Sequence, residues 1–237
     1  MNKKEKLLYL KKGIKLAIPI AIGYIPIAIT FGLITKSSGV SNKIGIIMSL
    51  MVFAGASQFI GVNLMALNSA PLEIILTTFI INFRHFLMSS SLSQRIDSGE
   101  NKKLLYFISF GITDETFAVS SLLEEESLNP YMVLGLNFTA YLSWVFGTIL
   151  GVLLGNIIPQ IIQNSMGIAL YSMFIGLIGP SIKKSKPILI TAILSAGINL
   201  IIVFAPIFSF LSKGWSIIIA TIVSSLVGTM CFKEDIK

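Results

Sequence analysis

The chain is short of the residues from which most metal centres and disulfide scaffolds are built. Its 237 residues include one cysteine, Cys231, and one histidine, His85. A single cysteine excludes an intrachain disulfide framework, and a lone histidine leaves no Cys/His cluster to hold a metal. Charge is also scarce. Only 12% of positions are charged while 54% are hydrophobic, and the mean hydropathy is +0.85. That is too little polar surface to enclose a soluble core of this size. No G-x-x-x-x-G-K-[ST] loop is present, and no soluble segment is long enough to house an ATPase. Neither cofactor nor metal is expected.

The net charge of +7 does not point to nucleic acid. Most of the excess sits in "MNKKEKLLYLKKGIK" and "SIKKSK", short clusters flanking apolar runs, and such charges set membrane topology. A membrane span needs about 20 apolar residues. Eight segments fit: 14–34, 45–67, 71–92, 104–123, 131–155, 164–182, 187–205 and 214–232. The first is too long for a signal-peptide core and reads as a retained span, although "AIPIA" would permit cleavage. The expected fold is therefore all-α: a polytopic transmembrane bundle of about eight spans. Residues 1–13 are expected to form a basic cytoplasmic tail, 14–232 a single transmembrane domain and 233–237 a C-terminal tail. With both termini inside, eleven Lys and Arg lie on the cytoplasmic side and six opposite. If the first segment dipped in and out, seven spans would remain, with twelve against five.

Several spans carry residues that hydrocarbon does not favour. "AIPIAIGYIPIAITFG" contains the helix breakers Pro19, Gly23 and Pro26, so the first span is expected to be broken, with freed backbone groups facing a cavity. "AIGYIPIAITFG" opens three apolar segments and "SFGITDETFAVS" a second set of three, which suggests a three-plus-three inverted repeat. In "FAGASQFIGVNL", Gly55, Ala56 and Ser57 would admit a neighbouring helix closely. Gln58 and Asn63 either line a polar strip or bind helix to helix. Arg84 and Asp114 lie about 12 and 15 Å from one membrane face at 1.5 Å per residue, so antiparallel neighbours would bring them to one depth. Glu115 lies about 100° further round the helix. His85, Asn82, Thr113 and Thr116 add more polar capacity than one ion pair requires.

"FAGASQF", "INFRHFLMSSSL" and "GITDETFAV", in this order and with "YIPIAITFG" ahead of them, resemble the AzlC family, the large subunit of bacterial branched-chain amino acid exporters associated with azaleucine resistance. The likeness covers residues 12–125. It implies export of leucine, isoleucine, valine and methionine from a multi-pass bacterial cell-membrane protein, together with a small AzlD-like membrane subunit. From charge and depth, the residues expected to handle substrate or protons are Arg84, His85, Asp114, Glu115, Asn82, Gln58 and Ser57. Arg84 or broken-helix amides suit a carboxylate and Asp114 or Glu115 an ammonium, with proton coupling through the carboxylates and His85 as a relay. Gly55, Gly147 and Gly151 offer small-residue faces to a partner. An enzyme is not expected. The alternatives are an intramembrane serine protease, with Ser57 as nucleophile and His85 as base, and a passive scaffold or channel subunit.

Overall fold

The computed structural model describes residues 1–96, 102–125, 127–155, 185–208 and 213–232, with a few isolated positions between them. The chain is α-helical: α1 (Lys3–Ser37), α2 (Asn42–Met51), α3 (Gly55–Ala66), α4 (Pro71–Ser93), α5 (Lys102–Phe110), α6 (Asp114–Leu122), α7 (Pro130–Leu154), α8 (Lys186–Phe204) and α9 (Lys213–Cys231). The basic segment expected as a tail is the start of α1, where Asn2 and Glu5 form a reciprocal cap.

The break expected at Pro19, Gly23 and Pro26 does not occur. α1 is one 35-residue helix with both prolines inside it. Each proline removes only one backbone bond, and Thr30 donates to the Pro26 carbonyl at 3.0 Å. The helix is also clamped to α7, backbone on backbone. A Cβ at Gly13 would lie 1.9 Å from the Met132 carbonyl oxygen, and one at Gly151 2.1 Å from that of Ile29. Leu10 sits beside Gly135 and Ile29 beside Gly151, so the two helices run parallel. Gly147 and Gly151, expected to receive a partner, are thus filled by α1, and Gly55 receives the Trp144 ring.

The breaks fall instead in the segments 45–67 and 104–123, each of which is two short helices. Between α2 and α3 the bulky Phe53 has φ +45°, a left-handed conformation costly for any residue but glycine. α3 then runs back along α2. Gln58 Nε2 donates to Ser49 Oγ at 2.9 Å and Met48 lies against Gly61, whereas in a straight helix Ser49 and Gln58 would stand about 13 Å apart. This hairpin 1 enters beside the C-terminal end of α1, where Gly45 meets Thr35.

Hairpin 2 is α5 and α6, turned at 111–113 and held by a capping box between Thr113 and Thr116. α6 returns towards the end of α4, where Arg95 donates to the carbonyls of Ser120, Ser121, Leu123 and Glu125. The two hairpins enter from opposite faces. Their tips meet halfway, with the Phe53 and Phe110 rings 6.4 Å apart.

One face of α7 secures both tips. Asn137 donates to the Ile108 carbonyl at 2.9 Å and Tyr141 to the Leu50 carbonyl at 2.9 Å. Trp144 donates to Gln58 Oε1 at 3.1 Å, and Thr148 bonds Ser49 at 2.8 Å. The spacing i, i+4, i+7, i+11 is one helical stripe. Two of its members reach backbone carbonyls beside the breaks, those of Ile108 and Leu50, and two reach the polar side chains of hairpin 1.

Two of the eight expected spans, 45–67 and 104–123, are accordingly not single crossing helices. Among the described residues five helices are long and apolar enough to cross, α1, α4, α7, α8 and α9. The candidate span 164–182 and the tail 233–237 lie outside the described residues. The second half of the three-plus-three repeat extends there too; within residues 3–122 the recurring shape is one span followed by one hairpin, in opposite orientations. α8 and α9 pair antiparallel, with Gly228 at Thr191. The Gly214 N–H donates to the buried Glu73 of α4 at 2.8 Å, which ties the start of α9 to the face hairpin 1 enters.

Candidate functional site

The site is assembled where the hairpin tips meet α1, α4 and α7. A cavity of about 30 Å³ is lined by Tyr24, the Phe53–Ala56 turn, Arg84, His85, Thr113, Asp114, Glu115 and Trp144. That volume holds a water or two and no amino acid. Arg84 lies in the central part of α4, and its Nη1 meets Asp114 Oδ2 at 2.7 Å. Their side chains are 33% and 31% exposed, so the pair is neither sealed in a core nor freely hydrated. Arg84 Nε is buried and has no hydrogen-bond partner, a donor left open to an arriving acceptor.

Asp114 and Glu115 occupy the first turn of α6, where the positive end of the helix dipole favours carboxylates. Adjacent in sequence, they point to different helices. Asp114 faces Arg84 on α4, while Glu115 accepts a hydrogen bond from the Tyr24 phenol of α1. Tyr24 also bonds Thr113 Oγ1 at 2.7 Å. The Tyr24 ring packs edge-on against Trp144 at 5.4 Å and Phe53 at 6.3 Å, so the cavity combines charged groups with aromatic walls.

Of the residues expected from the sequence, the structure brings Arg84, His85, Asp114 and Glu115 together. Arg84 and Asp114 meet, as their equal depth suggested, although Asp114 starts a new helix, α6, which is the element of hairpin 2 that packs on α4. Gln58 is fully buried behind the tip of hairpin 1 and binds Ser49, Trp144 and the Ala54 N–H, contacts that join hairpin 1 to α7. Asn63 is exposed on the other side of α3, because five residues turn a helix by about 140°. Ser57 donates to the Ala54 carbonyl at 3.0 Å and is not among the residues that line the cavity with His85. Asn82 sits off the cavity, its Oδ1 buried and without a hydrogen-bond partner. Pro19, Gly23 and Pro26 line none of it. Sequence reasoning missed Tyr24, Phe53 and Trp144. The signal for Tyr24 and Trp144 was present, since a phenol or an indole within a span requires a polar partner.

Among the described residues this defines an all-helical membrane protein in which a spanning helix forms an ion pair with the tip of one of two opposed hairpins. Residues 19–158 match the family described as AzlC protein, and the chain belongs to that family. It is 34% identical over 185 residues to a membrane protein of Archaeoglobus fulgidus, covering 77% of this chain and 80% of the relative. It is 31% identical over 189 residues to the inner membrane protein YgaZ of Escherichia coli, covering 77% of each. With the branched-chain amino acid transport protein AzlC of Bacillus subtilis it shares 30% identity over 162 residues, 66% of this chain and 62% of that one. No solved structure matches it.

Proposed function

We propose that the protein exports branched-chain amino acids, and methionine with them, as the large subunit of a proton-coupled secondary transporter with a small AzlD-like membrane partner. The observation that carries this reading is the Arg84–Asp114 pair, 2.7 Å apart, at the junction of two hairpins that enter from opposite faces. A zwitterion is the reagent such a pair can exchange with. Its carboxylate takes the guanidinium, with Arg84 Nε already unpartnered, and its ammonium takes Asp114, so the insertion adds no net charge. Phe53, Ala54, Ala56 and Trp144 provide apolar wall for a branched side chain. The Bacillus subtilis relative's name, a branched-chain amino acid transport protein, points to the same substrate class. On this reading the cavity of about 30 Å³ belongs to a closed state, and substrate enters when a hairpin moves.

Efflux of labelled leucine from loaded vesicles, with the small subunit present, tests the reading. Arg84→Gln and Asp114→Asn each strand one charge. In a fully buried pair that costs about 3 to 5 kcal/mol; the exposure of this one lowers the figure, yet about 1.4 kcal/mol already amounts to tenfold. Each single variant should therefore lose at least about tenfold in efflux. The neutral double variant should recover membrane level without flux. Wild-type efflux by the double variant would reduce the pair to helix glue.

A further inference from the structure

Hairpin 2 is fastened at its tip by two carboxylates, hairpin 1 by none. Asp114 ties it to α4 through Arg84, and Glu115 ties it to α1 through Tyr24. The tip of hairpin 1 is held by neutral groups, Gln58 to Ser49 and Trp144, and Tyr141 to the Leu50 carbonyl. Protons or charged solutes can thus loosen one hairpin and leave the other in place. The two ties of hairpin 2 also differ in charge. Arg84 and Asp114 balance each other, with or without a zwitterion between them. Glu115 has no such balance. Facing it are Tyr24 from α1, Arg84 and His85 from α4, and Thr113 and Asp114 from its own hairpin; hairpin 1 and α7 bring only Phe53, Ala54, Gly55, Ala56 and Trp144, none of them ionisable. The one guanidinium among these groups is already paired with Asp114.

We infer that Glu115 and Tyr24 form the proton-carrying latch of hairpin 2, distinct from the pair that receives the amino acid. This rests on the transport reading above. As a carboxylate, Glu115 accepts the Tyr24 hydrogen bond and holds the tip against α1. When it takes a proton from water on one face it becomes a neutral acid, a weaker acceptor, and the tip is released; returning the proton to water on the other face restores the latch. No bond other than O–H is made or broken, and the chain gains and loses one proton per cycle. The amino acid opens the Arg84 tie, the proton the Tyr24 tie, and transport couples them because both hold one tip.

The test compares two leucine fluxes in proteoliposomes containing the chain and its small subunit. One is counterflow without a pH gradient, the other efflux under an imposed inward proton gradient. In the wild type the gradient should raise flux several-fold over counterflow. In Glu115→Gln the ratio of the two fluxes should fall to about one. Gradient-driven efflux that persists in Glu115→Gln at the wild-type ratio overturns the inference. Should that variant not reach the membrane, Tyr24→Phe decides: it keeps the ring and removes the hydrogen bond, so the midpoint of its pH–flux profile should move, and an unmoved midpoint overturns the inference equally. Absence of counterflow in the wild type is a different outcome, which overturns the transport reading and this inference with it.

Discussion

Gln58 shows how a polar residue in an apolar segment can be fully satisfied by its neighbours. Its carboxamide accepts from the Trp144 indole and the Ala54 N–H and donates to Ser49, so one side chain fixes the turn of hairpin 1 against α7. Leucine at this position keeps the volume but leaves two buried donors without an acceptor, each costing about 1 to 3 kcal/mol. Gln58→Leu should lower the melting temperature in detergent, whereas Asn63→Leu, on the exposed side of the same helix, should leave it nearly unchanged. Equal behaviour of the two variants would mean that the network does not hold the tip. Phe53 makes a related point. Its left-handed backbone is a bulky residue's outlier, and it sits where the hairpins touch.

Among the elements, α1 is the one most easily misjudged from sequence. Two prolines and a glycine suggest a break, and the helix is intact because its other face lies on the α7 glycines. Helix breakers are read locally, whereas the packing that overrides them is set by residues more than a hundred positions away. A Cβ at Gly151 would meet the Ile29 carbonyl at 2.1 Å, while one at Gly23 meets nothing within 4 Å. Gly151→Leu should therefore force α1 from α7 and abolish the folded protein at the membrane. Gly23→Ala should be tolerated or stabilise by up to about 1 kcal/mol, and severe loss of transport in a folded Gly23→Ala variant would restore a hinge in α1. What the sequence did show was the pair itself, since Arg84 and Asp114 are expensive enough in hydrocarbon to require each other. It hid the turns at 52–54 and 111–113, because hydropathy counts apolar residues and not the direction in which they run. The α7 stripe at 137, 141, 144 and 148 was legible as a period, but only the hairpins give it a meaning.

On the scale of the whole molecule, the hairpins change the topology and with it the charge balance. When two candidate spans do not cross, the six lysines of residues 3–15, together with Arg95, Lys102, Lys103, Lys183 and Lys186, share one face, and Lys36, Lys43 and Lys213 share the other. Eleven against three among the described residues, with Arg84 between them, is a far stronger bias than the eleven against six of an eight-span chain. The face that carries the start of α1 is therefore predicted to be cytoplasmic, with hairpin 2 opening inwards and hairpin 1 outwards. The distinguishing positions are the ends of hairpin 1. If 45–67 crossed the membrane, Ser38 and Ser69 would lie on opposite sides; as a hairpin it returns both to one side. After Cys231, which is exposed, is replaced by serine, Ser38→Cys and Ser69→Cys should both react with an impermeant maleimide added outside intact cells. A cysteine at Asn2 should react only after the membrane is opened. Labelling of Ser38→Cys and Ser69→Cys from opposite sides would restore the crossing span, remove hairpin 1, and leave Phe53 and Phe110 without a reason to meet.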